Sequence, residues 1–149
     1  MKILVSACLL GECCKYNGGS NESQRLKELL AGQEVVAVCP EVMGGLPIPR
    51  VPVELRDGAA INRDGVNVDQ QFQMGAQKAL ECAQREKISL AVLQSRSPSC
   101  GVGRIYDGSF LGRLIEGNGV FAERMLQEGF RVKDVREVEE NGLGDCNEE

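Results

Sequence analysis

Three of the seven cysteines in this 149-residue chain recur in one sequence context. Cys8, Cys39 and Cys100 each follow a short apolar run and lie in a turn rich in Gly, Pro or Ser. The runs, which have the length and β-branched character of buried strands, are residues 3–5, 35–38 and 88–93. Because ligands bind at the carboxyl edge of an open α/β sheet, this pattern predicts that the three thiols meet there around a metal centre.

The chemistry of three clustered thiolates limits which metal they would hold. Like charges raise one another's pKa, so the group needs a strongly positive partner, and sulfur ligands favour zinc, copper(I) or an iron–sulfur cluster. Structural zinc usually takes four protein ligands, often in CxxC spacing, and the chain has no CxxC. A cubane held by three cysteines would leave one iron open as a Lewis acid. The alternative is that all three are small buried apolar side chains.

The other cysteines have weaker claims to a metal site. Cys13 and Cys14 lie in the loop after Cys8, and either could supply a fourth ligand. Adjacent side chains diverge, so at most one points inward, and we expect both to be plain loop cysteines. Cys82 lies beside the apolar stripe of a predicted helix and is expected to pack, whereas Cys146 lies in an acidic tail and is expected to be inert.

The absence of histidine excludes Ser-His-Asp and Cys-His catalysis, and zinc sites that use imidazole. Proton transfer near neutral pH must then come from a perturbed Asp, Glu, Cys or Lys, or from metal-bound water. Glu41, two residues after Cys39, is the best placed carboxylate for this role. Its alternative role is to cap the loop by accepting backbone N–H groups.

Polar residues also surround the third cysteine. Ser97 and Ser99 flank Pro98 just before Cys100, where they could orient a substrate or water, or stabilise the turn. Arg50, Arg96 and Arg104 could offset the negative charge of the thiolates. Arginine is equally common on solvated loops, so this signal alone does not indicate a site.

Length and charge limit the class of protein. At 149 residues the chain can bury one real core. The net charge of −5 argues against bulk nucleic-acid binding, which needs a basic face, but permits a single nucleobase as ligand. The apolar start, residues 3–10, is too short for a signal peptide or a membrane span, so we predict a cytoplasmic protein without membrane contact. Cysteines in that reducing compartment more often bind metals or catalyse than form disulfides.

Apolar periodicity alternates between strands and helices along the chain. The predicted strands are residues 3–7, 34–39, 88–93 and 130–135. The predicted helices are residues 21–32 with a cap at Asn21, a segment ending at Glu86 with a cap at Asn67 or Asp69, and residues 119–128. This alternation predicts a small Rossmann-like, three-layer α/β domain with a mostly parallel sheet.

Two regions show no clear helix or strand period. Residues 40–66, rich in Pro and Gly, predict an ordered loop with a small hairpin at Asp57-Gly58 or Asp64-Gly65. Residues 101–119 are rich in Gly. We predict one domain over residues 1–136 and an acidic, flexible tail over residues 137–149.

Five segments, in order and spanning almost the whole chain, resemble the DUF523 family. They are SACLLG (6–11), KYNGG (15–19), CPEVMGGLPIPR (39–50), SRSPSCG (95–101) and IYDGSF (105–110). The combination of CPE…GGLP.PR with SPSCG is specific, and the characterised members of this family are 2-thiouracil desulfurases. The chain departs from the family pattern at Asn17, where Asp is frequent, at Gln94, where Lys is frequent, and at Val51 and Val53, where a Pro-Ala pattern is usual. These departures bear on substrate identity more than on cluster binding.

The resemblance implies an air-sensitive [4Fe-4S] cluster bound at Cys8, Cys39 and Cys100, with zinc as the less favoured metal. It implies a catalytic acid at Glu41 and an active serine at Ser97. The further positions expected to contact substrate are Asn17, Gly44, Gly45, Arg50, Ser99 and Asp107. The implied reaction is non-redox removal of sulfur from a thiolated pyrimidine base, thiouracil to uracil with release of sulfide, at the open iron.

Two other functions stay open on sequence grounds. The same cysteines could hold zinc or a cluster in a structural or redox-sensing module, or Cys100 could carry a persulfide in a metal-free sulfurtransferase. Metal analysis separates them, because a colourless zinc protein fits the first and a brown protein with about four irons fits a cubane. Activity without metal that is lost only when Cys100 is changed would indicate the sulfurtransferase.

Overall fold

The computed structural model describes residues 1–144. In that part of the chain the strands are β1 (Lys2–Ser6), β2 (Glu34–Val38), β3 (Val53–Arg56), β4 (Ala59–Asn62), β5 (Leu90–Leu93), β6 (Arg104–Tyr106), β7 (Leu114–Glu116) and β8 (Val132–Asp134). The helices are α1 (Gln24–Leu29), α2 (Pro40–Met43), α3 (Asp69–Glu86), α4 (Val120–Gln127) and α5 (Val135–Asn141). A 3-10 helical turn, Ala7–Leu10, follows β1.

A parallel sheet with the order β2-β1-β5-β8 forms the centre of the domain. Side chains of β1 alternate between its faces: Ile3 and Val5 pack in one apolar cluster and Leu4 in the other. α3 and α4 cover one face, and α1 and α5 cover the other. Such burial of both faces is expected of a parallel sheet, and the predicted three-layer α/β fold is confirmed.

Two antiparallel hairpins, β3–β4 and β6–β7, complete the fold around the sheet. The turn of the first is Asp57-Gly58, whose φ angles of 51° and 84° are both left-handed, as a two-residue type I′ turn requires. The hairpin predicted at this dipeptide is therefore confirmed. Asp64-Gly65 forms a second tight turn, closed by the Asn62 N–H, which donates to the Val66 carbonyl at 2.8 Å.

The predicted loops contain more regular structure than expected. Residues 40–66 include α2 as well as the hairpin, and residues 101–119 include β6 and β7. Elements of three or four residues are too short to show a period, so only their turns are visible in the sequence. The capping predictions also need correction.

Ser23, rather than Asn21, caps α1, because its Oγ accepts the Leu26 N–H at 3.1 Å. Val68, the residue before α3, makes no side-chain capping hydrogen bond. Asn67 Oδ1 accepts the N–H of Asp69, the first residue of α3, at 2.9 Å, which supports the predicted role of Asn67 at this helix start. Asp69 does not cap the helix, because its Oδ1 accepts the Ala60 N–H of the neighbouring strand at 3.1 Å.

The predicted flexible tail begins too early. Residues 137–141 belong to α5, whose start is capped by Asp134. Val138 is fully buried, and Glu139 accepts a hydrogen bond from Ser23 Oγ at 2.6 Å. The acidic composition misleads here because two buried apolar side chains, Val135 and Val138, dock this short helix on the core. Cys146 lies outside the described residues.

Within residues 1–144 no helix is both long enough and apolar enough to cross a membrane.

Candidate active site

The carboxyl ends of β2, β1 and β5 border a cavity of about 720 Å³. Because β1 lies between the other two strands, the cysteines that follow them come from three adjacent positions along one edge. Cys8, Cys39 and Cys100 all line the cavity. The structure therefore brings the three predicted thiols together, and their binding of a metal stays a prediction.

Each of the first two cysteines is held by a sharp change of chain direction after its strand. Cys8 lies in the 3-10 turn, which ends at Gly11 with a left-handed φ of 99°. Asn21 Nδ2 donates to Cys8 Sγ at 3.5 Å, so the residue predicted as a helix cap instead contacts a thiol. Cys39 directly precedes α2, where Pro40 at the first helical position favours an immediate helix start.

Ser97 organises the loop that carries Cys100. Its Oγ accepts the N–H of Ser99 at 3.1 Å and that of Cys100 at 3.0 Å. The carbonyls of Pro98 and Ser99 then accept the first N–H groups of α4, which have no partner within their own helix. Gly119 permits this close approach, because a Cβ there would collide with the backbone of Ser99. Helix α4 therefore fixes the position of the third cysteine loop.

Glu41 lies in the same cavity within a network of charged and hydroxyl groups. Arg50 Nε donates to Glu41 Oε1 at 3.1 Å, and Ser99 Oγ donates to Oε2 at 2.8 Å. The Arg50 and Glu41 side chains are only 6% and 14% exposed. Arg50 also donates to the carbonyls of Pro47 and Cys14. Side chains hold Glu41, so the alternative role as a backbone-capping residue is not supported.

The two serines of the loop have different hydrogen-bonding roles. Ser99 has one hydroxyl proton, which it donates to Glu41, so Ser97 must be the donor across the 3.0 Å between the two hydroxyls. Ser97 then accepts two N–H groups and donates its proton, which saturates it. Ser99 also lies 3.7 Å from Cys100 Sγ, and so connects the carboxylate to a thiol. Ser99 therefore contacts both Glu41 and Cys100 directly, whereas the catalytic role predicted for Ser97 stays a prediction.

Burial raises the pKa of three cavity thiols, Cys8, Cys14 and Cys100, and so keeps them protonated when no cation is bound. It raises the pKa of Cys100 to about 12. Burial, followed by the neighbouring Cys39 thiol, raises the pKa of Cys14 to about 12 as well. Burial also raises the pKa of Cys8. Thiolate ligation must therefore displace protons, which requires a strongly positive centre.

The thiols fit an iron–sulfur cluster. Four of them, Cys8, Cys14, Cys39 and Cys100, line this same cavity. No three His, Cys, Asp or Glu side chains among the described residues converge closely enough to hold one metal ion. In a four-iron cluster each thiolate binds a different iron, so the ligands surround the cluster and need not meet at a point.

Of the residues predicted to contact substrate, Arg50 and Ser99 line the cavity. Gly44 does not: it packs against α3, where a Cβ would collide with the Gln71 carbonyl, so its role is a close helix contact. Gly45 is exposed beside it, outside the cavity lining.

Asn17 and Asp107 also lie outside the lining of the cavity. Each side chain closes its own turn, accepting the N–H of Gly19 and of Ser109, both at 2.9 Å. Arg96 does line the cavity and Arg104 is exposed. Asn and Asp are typical of such turns, so a local structural role accounts for the residue types at both positions.

The remaining cysteines divide as side-chain divergence predicts. Cys13 is exposed, whereas Cys14 is only 7% exposed and faces the cavity. The expectation that both are plain loop cysteines is therefore wrong for Cys14. Cys82 packs against the apolar core, as predicted.

Sequence reasoning missed the part of the cavity that the hairpins supply. Tyr106 and Phe110 line it, and Glu54 of β3 fixes their loop by accepting the N–H groups of Gly108 and Phe110, both at 3.0 Å. The Arg63 guanidinium lies 5.7 Å from the centre of the Phe110 ring. The two aromatic residues of the segment IYDGSF are the available signal, but three-residue strands give no period from which to place them.

The fold and the cavity define an α/β domain with a thiol-lined site at the carboxyl edge of its parallel sheet. A family model for 2-thiouracil desulfurase matches residues 3–137. The uncharacterized protein YbbK of Bacillus subtilis (strain 168) is 37% identical over 153 residues, covering 96% of this chain and 98% of YbbK. The solved structure of the [4Fe-4S]-dependent thiouracil desulfidase TudS (DUF523Vcz) is 40% identical, with a TM-score of 0.87 and 95% of each chain covered.

The chain therefore belongs to the 2-thiouracil desulfurase family, which is a family of enzymes. This confirms the family resemblance found in the sequence.

Proposed function

We propose that this protein removes sulfur from a thiolated pyrimidine base such as thiouracil. The observation that carries the proposal is the meeting of Cys8, Cys39 and Cys100 with a buried, Arg50-held Glu41 in one cavity. Water supplies the oxygen that replaces sulfur on the ring carbon, and the sulfur leaves with two protons as hydrogen sulfide. No electrons are transferred in this net hydrolysis.

Cys8, Cys39 and Cys100 are the residues that would hold a [4Fe-4S] cluster. When bound, such a cluster supplies an iron without a protein thiolate, a Lewis acid that polarises a carbon–sulfur bond. The cluster dependence of the similar TudS supports an iron–sulfur cofactor here.

Glu41 is the group that moves protons. As a carboxylate it accepts a proton from the attacking water and returns it to the departing sulfur. Arg50 occupies Oε1, so Oε2 is the oxygen directed toward Ser99 and the thiols. Ser99, in contact with both Glu41 and Cys100, positions this proton path.

The hairpin residues would bind the base. Tyr106 and Phe110 offer the aromatic surface that a planar heterocycle prefers. Glu54 fixes the loop of Phe110, so the ring is already in place before substrate arrives.

Burial argues against a persulfide carrier at Cys100. Reactive cysteines have a lowered pKa and are accessible. Cys100 is 4% exposed, and its pKa is raised to about 12.

The proposal is tested with protein reconstituted without oxygen. We expect the wild type to consume 2-thiouracil or 4-thiouracil, followed by loss of thiocarbonyl absorbance and release of sulfide. Glu41→Gln should lower the rate at least about 100-fold, the contribution of a positioned acid–base group, with iron and sulfide content unchanged. Glu22→Gln, at an exposed Lys27 pair on the cavity lining, is the matched control and should retain activity.

Iron-loaded wild type that leaves both thiouracils intact would overturn the proposal. So would a Glu41→Gln variant that matches the control.

A further inference from the structure

The proposed reaction does not use Cys14, although this side chain faces the active-site cavity. Only 7% of it is exposed, whereas its neighbour Cys13 points to solvent. Cys14 lines the same cavity as Cys8, Cys39 and Cys100. The site therefore contains one more thiol than the three that follow the sheet strands.

The backbone at Cys14 is held against the cavity from two sides. Its carbonyl accepts a hydrogen bond from Arg50 Nη2 at 2.9 Å and lies 3.9 Å from Cys39 Sγ. Arg50 is the same residue that holds Glu41. The thiol is therefore kept beside a predicted ligand and near the catalytic carboxylate, although it lies in a loop.

We propose that Cys14 is an exchangeable fourth thiol ligand of the cluster. With no substrate in the cavity, the Cys14 thiolate binds the iron that Cys8, Cys39 and Cys100 leave without a protein ligand, and releases one proton on binding. When the sulfur of the substrate enters, Cys14 leaves that iron and takes up one proton. The exchange involves no electron transfer.

This inference rests on the proposed function. It predicts a retention of the fourth iron that three fixed ligands alone would not supply. An iron with only three cluster sulfides and an exchangeable small ligand is the first to be lost to a chelator. A soft thiolate beside it is the preferred donor to retain it. Cys14 comes from a loop while the other three follow strands, which suits the ligand that moves.

The test compares reconstituted wild type with Cys14→Ala, Cys14→Ser and Cys13→Ala, the last as the matched control at an exposed neighbour. We expect the two Cys14 variants to take up a cluster and to lose one iron of the four roughly tenfold faster in a chelator, the low end of what lost supporting ligands cost. After mild oxidation by ferricyanide, they should show the paramagnetic three-iron cluster by electron paramagnetic resonance. Cys13→Ala should match the wild type in both measurements.

The serine variant nearly keeps the volume of cysteine, so equal behaviour of the serine and alanine variants separates ligation from packing. Circular dichroism of the metal-free variants checks their folding. Equal iron loss and equal spectra for all proteins would overturn the role of Cys14 while leaving the desulfurase proposal intact. A wild type that takes up no iron and no sulfide would overturn both.

Discussion

The cavity is built from two kinds of wall that differ in how the chain places them. The thiol wall, Cys8, Cys39 and Cys100, follows three adjacent parallel strands, so the strand order brings these residues to one edge, and the turns after the strands set the position of each thiol. The hairpin wall, Glu54, Arg63, Tyr106 and Phe110, comes from two short antiparallel hairpins and the turns beside them. Turns anchored to the sheet, α2 and α4 hold the first wall, and the Glu54 carboxylate holds the loop of the second by accepting two N–H groups.

This difference suggests a division of labour. In the proposed function, the residues at the sheet edge would hold the cofactor and transfer protons, and the hairpin residues would select the base. Loops and hairpins can change without disturbing a core, so substrate preference can change while the cluster site is kept. Substitutions in the two walls should therefore produce different kinds of defect.

The largest effect is expected from Cys100→Ala in the thiol wall. Losing one of three fixed ligands should reduce iron retention at least about 100-fold, above the cost of losing a supporting residue, and abolish desulfuration. Iron and sulfide analysis of protein prepared without oxygen measures this. Cys82→Ala, at a cysteine of α3 that packs against the apolar core, is the control and should keep its iron. A Cys100→Ala protein with four irons and full activity would remove Cys100 from the ligand set.

Ser99→Ala and Ser97→Ala should separate the chemistry of the thiol wall from its support. Ser99→Ala removes the hydrogen bond to Glu41 and should lower kcat about 100-fold with iron content unchanged. Ser97→Ala leaves the N–H groups of Ser99 and Cys100 without their acceptor, which costs about 1–3 kcal/mol for each buried group. That variant should unfold at a lower temperature and lose iron faster.

The opposite pattern would reverse the assignment of the two serines. A Ser97→Ala protein of normal stability and iron content, but with turnover as low as that of Ser99→Ala, would make Ser97 a catalytic residue.

The two walls also differ in how far the sequence predicts them. The runs before Cys8, Cys39 and Cys100 predict strands, and the rule for parallel sheets brings their ends to one edge. The strand order β2-β1-β5, which makes the three cysteines neighbours, cannot be predicted from the strand patterns alone. It also cannot separate Ser97 from Ser99, because the direction of one hydroxyl proton depends on Glu41, a residue distant in sequence.

The hairpin wall was missed because its strands are too short for periodicity. The family pattern predicts substrate contacts at Asn17, Gly44 and Asp107. In the structure Asn17 and Asp107 close their own turns, and Gly44 packs against α3. The sequence does not predict the burial of Cys14, because the direction of a loop side chain depends on tertiary contacts, such as the hydrogen bond from Arg50 to the Cys14 carbonyl.

A smaller effect is expected from Phe110→Leu in the hairpin wall. An aromatic contact is worth about 0.5–1.5 kcal/mol beyond its buried area, so KM should rise between roughly twofold and tenfold while kcat and iron content change little. Leu111→Ala, at an adjacent side chain that is 68% exposed, is the control and should match the wild type. Steady-state kinetics with a thiouracil substrate measures both. A fall in kcat with unchanged KM would show that the division between the walls is wrong.

The last effect, on stability and not on activity, is expected in the metal-free protein at alkaline pH, and it arises in the thiol wall. Cys100 has a pKa near the ordinary 9.0 in the unfolded chain and about 12 in the folded protein. Above pH 9.0 the unfolded state therefore loses this proton before the folded state does, so the stability due to the neutral buried thiol is present below that pH and falls progressively toward about pH 12. Thermal unfolding followed by circular dichroism over this range should show a smaller decline for Cys100→Ala than for the wild type, because lysine and tyrosine titration is common to both. Phe110→Leu, which changes no titrating group, should decline in parallel with the wild type. Equal declines in wild type and Cys100→Ala would mean that the thiol is solvated, and that the sheet edge does not keep Cys100 in the apolar setting from which a cation must displace its proton.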